Sequence, residues 1–96
     1  MKLRHAATLA LVGWYFMIPP LDDKHNPQTD LPISQWWQHQ AFDSAKECED
    51  SKDAYMRKYE SNSKKDEKAK AFWVGMMGSV VQGFCVATDD PRLKPN

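Results

Sequence analysis

The chain has no excess of charge of either sign. Its 96 residues include 13 basic and 13 acidic side chains, so the formal net charge is zero. Nucleic-acid binding depends on a local excess of lysine and arginine that neutralises phosphates, and the charged stretch at residues 57–70 mixes both signs. We therefore expect no nucleic-acid partner.

The chain also lacks the short motifs that carry common enzyme chemistry. It has no phosphate-binding loop, no haem-attachment motif, no zinc-ligand spacing and no nucleophile elbow. The neighbouring carboxylates Asp89 and Asp90 precede Pro91, which is typical of a turn in which Arg92 neutralises one of them. We expect no enzymatic activity, no catalytic residue and no cofactor.

A metal site is conceivable in one polar stretch only. Its candidate ligands are Asp22, Asp23, His25 and Asp30. An extended spacer offers no second shell of hydrogen bonds to orient a metal-binding histidine, so we expect no metal there.

Cysteine is scarce, since Cys48 and Cys85 are the only two. The pair lacks the C-x-x-C spacing and the neighbouring histidine of a redox or metal site, which are the alternatives to a disulfide. An even pair in a chain that begins like an exported protein predicts a disulfide. In the chain-entropy treatment, closing the loop between Cys48 and Cys85 adds about 4 kcal/mol to the free energy of unfolding.

The N-terminal segment has the layout of an export signal. Lys2 and Arg4 precede Ala6–Ile18, which carries no charge, and Pro19 and Pro20 follow. Apolar runs of about 10–14 residues are typical of signal peptides, whereas a membrane span needs about 20. No small-x-small cleavage site follows, so residues 1–21 are predicted to form a signal peptide or an uncleaved anchor. A buried core helix is the alternative.

That layout predicts the location of the protein and a contact with the cell membrane. Segment Ala6–Leu21 would lie in the cell membrane, with its positive flank in the cytoplasm and the main domain on the periplasmic side. If the segment is cleaved, the protein is secreted.

Two aromatic residues stand out after the anchor. Residues 22–34 read as an extended linker, and Ser34–Phe42 reads as a strand that contains Trp36 and Trp37. With Trp73, these tryptophans are a possible aromatic contact surface for a small ligand. The alternative is that they form the core of a small domain.

The clearest helix start lies at Ser44. Ser44 and Glu47 form a capping box, and Asp43 places negative charge at the positive end of the helix dipole. The pattern predicts a helix to about Glu60 with Cys48 facing inward, followed by a break at 61–63.

Residues Ala71–Thr88 carry no charge and hold a wide apolar stripe that three glycines interrupt. We expect a packed helix that ends near Gly83, followed by a short strand at Phe84–Ala87. A membrane-lying helix, a second span and a loop are the alternatives.

These elements predict an α+β fold, in which an N-terminal apolar helix precedes a small β-α-(α)-β domain. The domain would occupy residues 35–96 and be closed by one disulfide between Cys48 and Cys85.

Three stretches resemble a group of short, uncharacterised bacterial exported proteins. They are GWYFMIPP at 13–20, FDSAKECE at 42–49 and CVATDDPRL at 85–93. The resemblance implies the same plan of an apolar segment followed by a strand, a helix and a strand closed by two cysteines. It implies no activity or substrate.

The function that we expect from the sequence is a non-enzymatic interaction or accessory role outside the cytosol. One alternative is a small single-span subunit of a larger membrane protein complex, with its N-terminal helix packed on a partner through Gly13. Another is a ligand-binding module that uses Trp36, Trp37 and Trp73.

Overall fold

A computed structural model describes residues 13–94. Three strands, β1 (Trp14–Ile18), β2 (Trp37–Phe42) and β3 (Phe84–Ala87), form one sheet in the order β2-β1-β3. Two helices, α1 (Ala45–Lys65) and α2 (Lys70–Gln82), stand between β2 and β3 in the chain. Short 3₁₀ turns lie at Ile33–Gln35 and Pro91–Leu93.

The predicted N-terminal apolar helix is wrong where the structure describes it. Residues Trp14–Ile18 are the central strand, and Phe16, Met17 and Ile18 are at most 1% exposed. A strand that is buried on both faces is apolar at every position, so its composition matches that of a membrane segment. Aromatic and branched side chains favour the strand, and Pro19 stops it.

Segment Ala6–Leu21 is therefore not one continuous helix, although the part of that prediction at residues 1–12 lies outside the described residues. Within 13–94, no helix has the length and apolar character needed to cross a membrane.

Both neighbours of β1 run antiparallel to it. Trp14 pairs with Phe42 on one side and with Ala87 on the other. The β1–β2 ladder is irregular, because Phe16 pairs with Gln40 while Met17 pairs with Gln38. The residue between them, His39, is the extra residue of a β-bulge. A bulge changes the direction of the side chain that it holds.

The helix start predicted at Ser44 is present, with Ser44 as the N-cap residue of α1. The Ser44 hydroxyl accepts a hydrogen bond from the Glu47 backbone N–H at 3.1 Å and donates one to the Glu47 carboxylate. The helix continues past the predicted break to Lys65, and the buried Ser63 hydroxyl donates to the Glu60 carbonyl within it. The serine is thus accommodated by bonding to its own helix.

The second helix is packed against the first, as we expected for the second apolar run. Met76 and Val80 of α2 join Phe16, Ile18, Cys48 and Tyr59 in the core. Four residues separate the helices, so they form a helical hairpin over one face of the sheet. A membrane-lying helix is not needed to explain the apolar stripe.

Residues 19–28, most of which we expected in a linker, lie against α2. The Ser79 hydroxyl donates a hydrogen bond to the Pro19 carbonyl, and the Gln28 N–H donates to the Pro20 carbonyl at 2.8 Å. A Cβ at Gly75 would lie 2.5 Å from the His25 carbonyl oxygen. The glycine therefore permits a close approach that a larger residue would block.

Substitution of two glycines in the second apolar run tests this packing. A Cβ at Gly83 would lie 2.7 Å from the Met17 carbonyl oxygen, and this oxygen belongs to the central strand and cannot move easily. We expect Gly83→Ala to lower the free energy of unfolding by about 1–3 kcal/mol, measured by chemical denaturation.

The matched control is Gly78→Ala. Its Cβ would meet the Pro27 ring, with Cγ at 3.4 Å and Cδ at 4.0 Å, inside a helix where alanine is favoured over glycine by up to about 1 kcal/mol. We expect no loss of stability for this variant. Equal destabilisation by both substitutions would contradict the packing described at Gly83.

Candidate functional site

The predicted disulfide between Cys48 and Cys85 is present. Their Cα atoms are 6.2 Å apart, and the bond joins residues 37 positions apart in the chain. Cys48 lies in the first turn of α1 and is fully buried, while Cys85 pairs with Phe16 of the central strand. The bond therefore ties the start of the helical layer to an edge of the sheet.

The three tryptophans of the predicted contact surface have different neighbours. Trp36 packs edge-on against Phe84 with ring centroids 5.6 Å apart, and Trp73 stacks on Tyr59 at 5.4 Å. Trp37 stands on β2 opposite Ile18 and is 42% exposed. The structure thus distributes them between two sides of the domain, and it does not bring them together as one platform.

An aromatic column runs through the core instead. Phe16 stacks on Tyr55 at 5.9 Å, Tyr55 on Tyr59 at 6.1 Å, and Tyr59 on Trp73 at 5.4 Å. The two tyrosines are four residues apart on α1, so they project from the same face of the helix. Their helical spacing is visible in the sequence, but their stacking on Phe16 follows only from the strand at residues 14–18.

His39 inserts into this column from the β-bulge. Its ring centroid lies 4.4 Å from that of Tyr55, and its Nε2 is 2.8 Å from the Tyr59 hydroxyl oxygen. The Tyr55 hydroxyl donates to the Gln40 side-chain amide oxygen. Two adjacent residues of β2 thus both bond to α1, which is possible because the bulge turns His39 and Gln40 toward the helices.

Burial sets the charge state of this group. Desolvation, with a smaller contribution from Lys58, lowers the pKa of His39. Desolvation also raises the pKa of Tyr55 and of Tyr59. All three side chains therefore stay neutral near neutral pH, and they act as a hydrogen-bonded link between the sheet and α1. Sequence reasoning missed this link because a bulge has no sequence signature here.

Among the candidate metal ligands, Asp22 has local backbone partners. Asp22 accepts hydrogen bonds from the backbone N–H groups of Lys24 and Asn26, both at 2.9 Å, and these bonds lower its pKa. His25, at φ 66°, packs edge-on against Phe72. Within residues 13–94, no group of three or more potential ligands is arranged to hold a metal ion.

Asp90 has the turn role that the sequence indicated. Its carboxylate caps the 3₁₀ turn at Pro91–Leu93 and binds the Arg92 guanidinium, with Nη2 and Oδ2 2.7 Å apart. This hydrogen-bonded pairing lowers the pKa of Asp90 to about 2. A carboxylate that is ionised and paired in this way is a poor general base.

A cleft of about 740 Å³ lies between the two 3₁₀ turns. Its lining combines two prolines and an isoleucine with polar and basic groups: Pro32, Ile33, Ser34, Gln35, Pro91, Arg92 and Lys94. Next to it, the Arg92 guanidinium lies 5.8 Å from the centre of the Phe84 ring, on which Trp36 packs. The volume of this cleft is in the range of small-molecule sites.

A second cleft of about 370 Å³ lies at the other end of β2. It is lined by Gly13, Tyr15, Ala41, Phe42, Asp43, Glu47 and Thr88. All of these residues except Ala41 belong to the stretches 13–20, 42–49 and 85–93. Those stretches therefore meet in space, because β1 pairs with both β2 and β3.

Comparison with known proteins gives no relative for this chain: no protein-family model, no curated protein and no solved structure matches it. The geometry and chemistry of the described residues therefore carry the functional argument.

The buried histidine predicts an acid-sensitive fold. A histidine whose pKa is lower in the folded chain takes up protons more readily when unfolded, so its contribution to stability is complete above the unfolded pKa of about 6.5 and is lost below it. We expect the melting temperature to fall as the pH drops from about 7.5 toward 5.

The variant His39→Gln, which keeps a hydrogen-bonding group but does not titrate in this range, should flatten that dependence. Lys58→Gln, which removes the nearby positive charge, should reduce it by a smaller amount. The same acid sensitivity in His39→Gln as in the wild-type chain would show that other groups control the response.

Proposed function

We propose that this chain is an exported, non-enzymatic interaction protein that acts with a protein partner outside the cytosol. The observation that carries the proposal is the disulfide between Cys48 and Cys85. Structural disulfides persist in oxidising compartments and are rare in the cytosol, where thiols are kept reduced.

The small size of the domain makes the stabilisation by this disulfide important. A domain of this length buries a modest share of its surface, so its stability is expected near the lower end of the range for small domains. A contribution of about 4 kcal/mol from one cross-link is then a large part of the total. Such a chain is suited to a place where the bond is maintained.

A binding role is supported by how the polar side chains are used. His39, Tyr59 and Tyr55 bond within the fold, and Asp90 is paired with Arg92. These groups hold elements together and are not arranged around a cleft as a nucleophile and its base would be. We place the protein in the periplasm or at the outer face of the cytoplasmic membrane.

The thiol state in living cells tests the proposal. Cells that produce the full chain are quenched in acid, and a maleimide that adds a known mass is applied before and after reduction. We expect no labelling of Cys48 or Cys85 before reduction and labelling of both after it, with the protein in the extracytoplasmic fraction.

Cells treated with a membrane-permeant reductant before quenching provide the control, because there both thiols should be labelled at once. Two labelled thiols in untreated cells, or a protein confined to the cytosol, would contradict the proposal.

A second candidate function is the binding of a small ligand in the 740 Å³ cleft beside Trp36. The specific observation is that Lys94 contributes positive charge to a cleft whose remaining walls are partly apolar, while Arg92 in the same lining is paired with Asp90. A ligand with an anionic group and a flat apolar part would match both features. Trp36 alone, rather than all three tryptophans, would report its binding.

Fluorescence titration with phenyl phosphate tests this candidate. We expect saturable quenching in the wild-type chain and its loss in Trp36→Phe, whereas Trp73→Phe, which changes an indole in the core, should retain it. Phenol has only the flat apolar part and inorganic phosphate has only the anionic group, so each should bind more weakly than phenyl phosphate. Equal quenching in both variants would contradict binding at this cleft.

A further inference from the structure

The outer edge of β2 lacks a partner in the part of the chain that the structure describes. β1 occupies one side of β2, because the sheet has the order β2-β1-β3. No turn, loop or capping hydrogen bond among residues 13–94 involves the backbone of Gln38–Phe42. An edge strand carries half of its N–H and C=O groups on the outer side, so this edge is a template for another strand.

Strand β2 lacks the charged residues and proline that usually protect an edge strand. Residues 31–42 contain no charged side chain, and β2 itself contains no proline. Edge strands are usually protected by lysine or proline against pairing with another strand. The other edge strand, β3, has only four residues, and the Lys52 side chain bonds to the Gly83 carbonyl at its start.

The exposed side chains of β2 suit an identical partner. Gln38, Gln40 and Ala41 are exposed, and Trp37 retains 42% of its surface. The Gln38 amide both donates and accepts hydrogen bonds, so it can bond to polar groups of a second strand. A strand without charge also meets a copy of itself without the repulsion that like charges would cause.

We propose that two copies of the chain pair antiparallel through the outer edges of β2, giving a continuous six-stranded sheet. A two-fold axis normal to the sheet relates the copies, so the α1–α2 layers lie on the same face. The Trp37 end of each strand then lies beside the Phe42 end of the other, which covers exposed indole surface. This pairing goes beyond the proposed function and does not depend on the compartment or on the partner named above.

The strand pairing competes with an apolar surface on α2. Val74 and Val81 of α2 are 51% and 53% exposed. They are seven residues apart and lie on one side of the helix. They could in principle hold two copies together through the helices, so the experiment must separate the helix from the strand.

Two matched substitutions make that separation. Gln38→Lys places a positive charge on β2, and Gln82→Lys places the same charge beside Val81 at the end of α2; both glutamines are exposed. The oxidised full chain and both variants are compared by sedimentation from low micromolar to near-millimolar concentration. Their melting temperatures are measured in parallel, so that an unfolded variant is recognised.

We expect the wild-type chain to form dimers as its concentration rises. Gln38→Lys should weaken the dimer by about tenfold or more, because a lysine on an edge strand opposes its pairing with another strand, while Gln82→Lys should leave it unchanged. Hydrogen exchange should show protection of β2 amides that grows with concentration, with no such change in β3.

Three results would overturn the proposal. The first is a wild-type chain that stays monomeric at the highest concentration. The second is a dimer that Gln82→Lys weakens and Gln38→Lys does not, which would place the contact on α2. The third is a dimer with the same β2 amide exchange as the monomer, which would also decide the case if Gln38→Lys failed to fold.

Discussion

The burial of β1 on both faces and along both edges is the constraint on which the rest of the structure depends. Phe16 and Ile18 enter the core with the helices, and Met17 on the opposite face is equally buried. A strand of this kind satisfies its backbone only if two other strands flank it. Strand β2 comes from the following part of the chain and β3 from beyond both helices, so the helical hairpin must fold back across the sheet.

The helices meet this constraint through two kinds of contact. The disulfide joins α1 to β3 with a covalent bond, and the column from Phe16 to Trp73 joins β1 to both helices through stacked rings. His39 adds hydrogen bonding from β2. Each strand is therefore linked to the helical layer by different chemistry. A small domain gains from this arrangement because no single hydrophobic core has to supply all of the stability.

Local signals in the sequence predicted local structure well. Four predictions are confirmed: the helix start at Ser44, the packed helix ending near Gly83, the final strand and the disulfide. Each depends on residues close together or on the only cysteine pair. The N-terminal helix was wrong because a doubly buried strand and a membrane segment have the same apolar composition. Of the candidate sites, the cleft beside Trp36 and the histidine link arise from long-range pairing, which no local pattern reports.

The sheet order has a consequence for the order in which the chain acquires its structure. Trp14 is paired with Ala87, so the central strand remains without one neighbour until the segment after α2 becomes available. Pairing between residues so far apart in the chain slows folding, so β1 lacks its second neighbouring strand for longer. The chain can complete its three-stranded sheet and form the bond between Cys48 and Cys85 only after β3 has been synthesised.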